Sequence, residues 1–370
     1  MSLNGSLIPK CVIEPPKYNN KFLLQEECCI TFSDSWQVPA GSLRIATYRS
    51  TDFIPPPQNW IEFENIIKEY NTVYLVFSYN CIKVLNVPRH LRYKVIIVTN
   101  PSTFVWNVEY WKFKAIERLV DYPLKIDPKF WHLYKDKHSI IQIASGCQFK
   151  CHYCVWNRTL GYKIQWADPI DCAYLSDISA SSYLLCPQIT GNSPWVIEFL
   201  NSRKTNKPFY TDVNCVHIDK YEDDLRKLAI KGLNRAVVGT EAFSDISLKK
   251  LGCPHTVEQS IHMISLLSSL NIFGAYQLRR GFGETVEEIL ETRENLIKIA
   301  QDLNIKEIPH KVTVGPIYYW HNSPLMPENK EYIEHSGFPI AIQKLTPEIN
   351  QVWLDTYKIM EEKGWKIKKT

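Results

Sequence analysis

The chain has 370 residues, 43 of them basic and 39 acidic, and a net charge of +4 is too mild to argue for a nucleic-acid partner. With 45% hydrophobic and 22% charged residues it has the balance of a globular protein with a sizeable core, not of a disordered chain. No stretch approaches the roughly 20 apolar residues of a membrane span, and Met1–Cys11 has no signal-peptide apolar run, so the expectation is a cytoplasmic protein.

Residues 1–42 scatter Pro, Asn and Ser without a period. Short apolar runs follow at Leu43–Thr47, Val73–Ser78 and Tyr93–Thr99, with an amphipathic helix expected over Trp60–Tyr70. Strands alternating with helices predict a small parallel α/β unit. Tyr122–Lys137, holding Pro123 and Pro128, reads as a linker. From His138 the rhythm is regular. Strands are expected at Ser139–Ala144, Ser182–Cys186, Pro208–Val213, Asn234–Gly239, Ile272–Leu278 and Lys311–Pro316. Helices fill the gaps. One starts at Ser193-Pro194. Another spans Asp219–Lys231 and ends at Gly232. A third spans Thr256–Leu270 and opens on a capping-box spacing with Gln259. The fourth, Glu284–Ala300, has an acidic first turn that suits the helix dipole. A closing helix is expected over Thr346–Glu362. Six strand–helix units imply a parallel sheet or partial barrel, whose active site lies at the C-terminal strand ends.

Eleven cysteines in a reducing compartment point to metal wherever they cluster. Cys147, Cys151 and Cys154 lie within eight residues, directly after an apolar strand. An iron–sulfur cube usually takes four thiolates. Three leave one iron open to a small molecule, as open positions mark catalytic metals, whereas structural zinc closes with a fourth Cys or His. Zinc held by these same cysteines in a non-catalytic interaction protein is the rival reading. His152 lies inside the loop, and no cysteine pair follows at zinc-ribbon spacing.

The C-x3-C-x2-C spacing, with Tyr153 before the last cysteine, resembles the radical S-adenosylmethionine (SAM) superfamily. The resemblance implies a [4Fe–4S] cluster on Cys147, Cys151 and Cys154, with SAM on the fourth iron and Tyr153 packing near its adenine. One electron, supplied by a flavodoxin- or ferredoxin-like donor, cleaves SAM to a 5′-deoxyadenosyl radical that abstracts hydrogen from a small-molecule or peptide substrate. Val238-Gly239-Thr240-Glu241-Ala242 resembles the family's G-x-E-S segment, with Ala for Ser, and implies that Glu241 binds SAM. Arg280-Gly281-Phe282-Gly283-Glu284-Thr285 resembles its G-x-P-G-E-T turn, with Phe for Pro. Arg279 or Arg280 at that strand end would reach a carboxylate, although the turn also fits simple helix capping. Gln188, Thr190 and Asn192 after the second strand, and Asn214 after the third, are further candidates for the methionine end. Ile317–Leu325 resembles a P-G-T-P-L segment, placing Tyr318, Tyr319, Trp320 and His321 at the substrate mouth or in ordinary packing.

The resemblance covers roughly residues 138–330 and is most like the branch with an N-terminal cobalamin-binding domain. The chain lacks the Asp-x-His-x-x-Gly lower-ligand motif, so cobalamin would bind without a protein histidine, if at all. The expected fold is α/β: a small Rossmann-like domain (1–135, a degenerate relative of the cobalamin-binding one), a partial (β/α)6 TIM-like barrel (136–330) and a C-terminal helical extension (331–370). The implied chemistry is methyl transfer to carbon with cobalamin, or a cobalamin-independent rearrangement or oxidation. The other cysteines, Cys11, Cys28, Cys29, Cys81, Cys172, Cys186, Cys215 and Cys253, show no second cluster spacing and read as buried small hydrophobes.

Overall fold

The computed structural model describes residues 27–31, 44, 46, 48–50, 52–54, 60–70, 72–77, 89–99, 115–118, 123–154, 161–216, 218–303, 310–317, 327–335 and 338–369. In the N-terminal part, β1 (Glu27–Thr31), β2 (Asp52–Ile54), α1 (Trp60–Glu69), β3 (Thr72–Phe77), β4 (Val95–Thr99) and β5 (Ala115–Arg118) follow one another. The five strands are parallel in the order β2-β1-β3-β4-β5. That is the 2-1-3-4-5 order of a doubly wound sheet, with a ligand crevice expected where the order reverses, between β1 and β3. β1, inside the unpatterned first stretch, was not foreseen. The run at Leu43–Thr47, expected as a strand, is helical at Arg44, Ala46, Tyr48 and Arg49. Its apolar pattern is broken by Arg44, whose buried guanidinium donates to Gln142 Oε1 (2.6 Å) and Pro123 O (3.0 Å). Two long-range bonds outweigh a weak strand propensity.

The main sheet begins with β6 (His138–Gln142). Past it, β7 (Ala144–Ser145) and β8 (Gln165–Trp166) pair antiparallel across a loop. Then come α2 (Pro169–Ile178), β9 (Ser181–Leu185), α3 (Ser193–Ser202), β10 (Phe209–Asn214), α4 (Ile218–Ile230), β11 (Leu233–Glu241), α5 (Asp245–Leu251), α6 (Val257–Ser269), β12 (Phe273–Arg280), α7 (Val286–Asp302) and β13 (Lys311–Pro316). A hairpin of β14 (Lys330–His335) and β15 (Phe338–Gln343), α8 (Pro347–Glu362) and β16 (Lys366–Lys369) complete the chain. The sheet is parallel in the order β16-β13-β12-β11-β10-β9-β6, a partial TIM-like barrel. All six expected strands are present. The seventh, β16, corrects the reading of residues 331–370 as only helical: Trp365 is buried and donates from Nε1 to Leu296 O (3.0 Å), seating the last strand beside β13.

Local chemistry explains most boundaries. Thr256 and Gln259 close the expected capping box on α6. Asn192, not Ser193, caps α3, because the Ser193 hydroxyl donates instead to Asp224 Oδ2 (2.6 Å). α7 starts at Val286, two residues later than expected, because the Glu284 carboxylate turns back to accept from the Gly281 and Phe282 amides (2.8 and 2.9 Å) and Thr285 takes the cap. Burial alternates along the strands, so that Leu184, Phe209, Val213, Ala236 and Val238 face the helices. Tyr183, Tyr210, Asp212, Arg235, Gln277 and Arg279 lie on the inner face.

Candidate functional site at the C-terminal rim of the barrel

The cysteine loop leaves β6 at the C-terminal edge of the sheet and is closed at its base by the β7–β8 pair. Gly146 makes this closure feasible. Its φ is +89°, and a Cβ there would run into the Lys163 carbonyl. Cys147 N then donates to Gly161 O (3.0 Å), and Cys154 N folds back on Cys151 O (3.2 Å). The far side of the loop docks on the end of α5. His152 N donates to Leu251 O (2.8 Å) and His152 Nδ1 to Lys250 O (3.0 Å). That hydrogen bond and the packing of the ring against Gly252 commit His152 to the docking, which weakens its case as a fourth zinc ligand.

Cys147, Cys151 and Cys154 are each partly exposed. Burial pushes the Cys147 thiol up, while a hydrogen bond from Cys253 holds the Cys151 thiol below its ordinary value. Among the described residues no three His, Cys, Asp or Glu side chains stand together at metal-ligating geometry. Three soft thiols on one loop are a donor set of the kind an iron–sulfur cluster takes.

Facing the loop, β11 ends in Gly239-Thr240-Glu241. The β11–β12 register slips between Gly239 and Glu241, a bulge that re-aims the glutamate. Glu241 sits at φ +58°, uncommon for a non-glycine residue and typical of functional sites. Its carboxylate folds over Gly239, where a Cβ would lie 2.7 Å from Oε1, so a side chain there would push the carboxylate aside. Arg279, at the end of β12, donates from Nε to Glu241 Oε2 (2.8 Å) and lies 5.6 Å from the Tyr153 ring centroid. Burial alone would lower the Arg279 guanidinium, but Glu241 and Tyr153 hold it above its usual value. Burial and then Glu241 raise the Tyr153 phenol. Behind Glu241, buried His255 donates from Nε2 to Thr240 O (3.2 Å), and burial keeps the ring below its usual value and neutral.

The fold thus gathers Tyr153 and Glu241 with the three cysteines. Arg279 is the arginine that reaches the Glu241 carboxylate; Arg280 lines a separate cavity with Gly281, Pro316 and the β15 residues Ile342 and Gln343. Asn214 lies in register with Gly239, and its Oδ1 accepts from Val216 N (2.8 Å). Gln188 and Thr190 are buried in their own turn, with the Gln188 amide folded under Gly191. Tyr318, Tyr319, Trp320 and His321 lie outside the described residues. Cys172, Cys186 and Cys215 are buried as expected, but Cys253 is not: it stands partly exposed beside Cys151. Nothing in its local sequence gave this away, because the contact spans the whole of β9 to α5.

Deeper on the same inner face, Tyr183, Tyr210, Arg235 and Phe273 lie in register across four strands. The two tyrosines stack at 4.6 Å, and the Arg235 guanidinium lies 5.6 Å from the Tyr210 ring and 5.3 Å from that of Phe273. Next to them the Tyr183 hydroxyl donates to Asp212, whose carboxyl burial pushes up to about 7.

No protein-family model matches the chain, and no curated protein matches it. Its fold is similar to that of the radical SAM methyltransferase TsrM from Kitasatospora setae with tryptophan substrate and a SAM analogue bound. The TM-score is 0.68 at 11% identity, over 92% of this chain and 89% of that one. It is also similar to the cobalamin-dependent SAM radical enzyme OxsB. The apo form gives a TM-score of 0.66 at 12% identity over 90% of this chain and 66% of that one. The form with aqua-cobalamin gives 0.58 at 12% identity over 74% and 52%. The chain therefore spans between half and two thirds of the OxsB length. At such identities the likeness is one of fold, and the fold is the one radical SAM enzymes use.

Proposed function

We propose that this chain is a radical SAM enzyme in which Cys147, Cys151 and Cys154 hold a [4Fe–4S] cluster and Tyr153, Glu241 and Arg279 line the SAM site beside it. The observation that carries the reading is the convergence at one rim: three thiols on the first loop, and a strained glutamate paired with an arginine on the fourth and fifth strands. A bound cluster supplies the electron that cleaves SAM to a radical. The chain's own residues do the rest. Glu241 offers a carboxylate to the amino or ribose region of SAM, Arg279 holds that carboxylate in aim, and Tyr153 offers an aromatic face to adenine. The barrel wall shields the reacting atoms from water.

We divide the chain into an N-terminal α/β unit to about residue 135 and a barrel unit that runs on to β16. The doubly wound strand order of the first unit supports cobalamin-dependent methylation of carbon as the finer reading, although the segments that follow β1 and β3, where a cofactor would lie, fall outside the described residues. The donor of the electron, of flavodoxin or ferredoxin type, and a small-molecule or peptide substrate belong to the same proposal. No described helix is long and apolar enough to cross a membrane.

The test is anaerobic reconstitution with iron and sulfide, followed by dithionite, SAM and product analysis. Iron bound in the native chain and lost in Cys151→Ala, together with 5′-deoxyadenosine release, is the expected result. Zinc in place of iron with no 5′-deoxyadenosine would sink the proposal. Cobalamin uptake by the same preparation separates methyl transfer from the cobalamin-independent reaction.

A further inference from the structure

Cys253 lies far from the cysteine motif in sequence, yet the fold returns it to Cys151. α5 ends at Leu251, and Gly252, in the left-handed region at φ +68°, turns the chain so that Cys253 N donates to Leu248 O (2.9 Å). The cysteine loop rests on this same corner. His152 N and Nδ1 donate to Leu251 O and Lys250 O, and a Cβ on Gly252 would stand 2.9 Å from the His152 ring. The residue after Cys151 and the residue before Cys253 are therefore locked against each other through backbone. The Cys253 thiol stands beside that of Cys151, and Cys154, Glu241 and Tyr153 are near enough for their charges to bear on it.

We propose that Cys253 is a positioning residue of the metal centre: its thiol donates a hydrogen bond to the Cys151 sulfur, holds that ligand in orientation and raises the reduction potential of the cluster. The inference rests on the radical SAM reading above. Once Cys151 is bound to iron as a thiolate it has no proton to give, so within this pair Cys253 is the donor. Glu241, the other acid close by, already accepts from Arg279. Hydrogen bonds to ligand sulfurs disperse the charge of a reduced cluster and are a recognised lever on its potential. The electron that starts the reaction would thus be tuned from the turn that follows α5, outside the ligand loop.

The experiment compares the reconstituted native holoprotein with Cys253→Ala and Cys253→Ser by iron and sulfide content, the EPR spectrum of the reduced cluster and an EPR-monitored redox titration. The expected result is equal iron in all three, a midpoint shifted to more negative potential with altered g-values in Cys253→Ala, and a return toward the native values in Cys253→Ser, which keeps a donor. Pulsed EPR of the native protein in H2O and D2O adds a reading that needs no variant: an exchangeable proton coupled to the cluster supports the hydrogen bond, and its absence overturns it. An unshifted midpoint in Cys253→Ala, equal shifts in both variants, or loss of iron from both would also overturn it, the last by making Cys253 a ligand itself. A native chain that binds no iron fails the radical SAM proposal instead, before the variants are compared.

Discussion

Glu241 and Asp212 sit on neighbouring strands of the same inner face, and the fold treats their carboxyl groups in opposite ways. Glu241, with 8% of its side chain exposed, is matched by Arg279 at 2.8 Å, itself 27% exposed. Asp212 has only the Tyr183 hydroxyl and the Cys186 backbone on its side, and burial lifts it to about 7. A buried charge persists only where a partner and hydrogen bonds offset its lost hydration; otherwise the group takes up a proton. The rim beside the cysteine loop therefore pairs its buried carboxylate with a cation. The aromatic floor of Tyr183, Tyr210 and Phe273 is built around a carboxyl that is neutral below pH 7.

The largest expected effect tests the floor. The unfolded value of an aspartate is near 4, and the folded value of Asp212 is about 7, so the folded chain holds this proton more tightly. Its contribution is present in full below pH ~4 and is lost as pH rises through about 7, roughly 4 kcal/mol in all. Asp212→Asn should remove that part of the pH dependence. Urea denaturation at pH 5, 6, 7 and 8 checks it, and parallel profiles for the variant and the native chain would refute the difference between the two acids. Next in size is Arg279→Met, which leaves Glu241 buried without its cation. Breaking such a pair costs about 3 kcal/mol, and the same variant should weaken SAM binding, measured by calorimetry on the anaerobic holoprotein. Undiminished stability would mean that the rim does not need its positive partner.

Much of the rim was legible from residue order because its signals are local. The three cysteines share one loop, and Gly239-Thr240-Glu241 carries its own reason: the glycine leaves room for the carboxylate that folds over it. The capping box on α6 and the six barrel strands were readable for the same cause, since periodicity and caps act within a few residues. What was not legible depends on contacts between distant segments. Arg44 reads as an interruption in an apolar run until it meets Gln142. Cys253 reads as one more small hydrophobe until Gly252 turns it toward the loop. β16 is a short lysine-rich stretch after the turn at Gly364, and it is held by the burial of Trp365. Asp212 looks like an ordinary polar residue of an alternating strand, and its burial beside the stacked tyrosines shows only in the fold.

The smallest effect sharpens the contrast furthest. Tyr183→Phe keeps the ring that stacks on Tyr210 and removes only the hydroxyl that donates to Asp212. That hydrogen bond favours the ionised carboxyl and works against burial. Its loss is worth about 1 kcal/mol, which corresponds to a little under one pKa unit. The Asp212 titration should therefore move upward from about 7, and the carboxyl 13C shift followed by NMR against pH would report it directly. At the rim the partner of the carboxylate is the Arg279 guanidinium and not a hydroxyl. A downward move in Tyr183→Phe would mean that the tyrosine holds the proton on Asp212 and does not draw it off, and the floor would then be neutral by hydrogen bonding and not by burial.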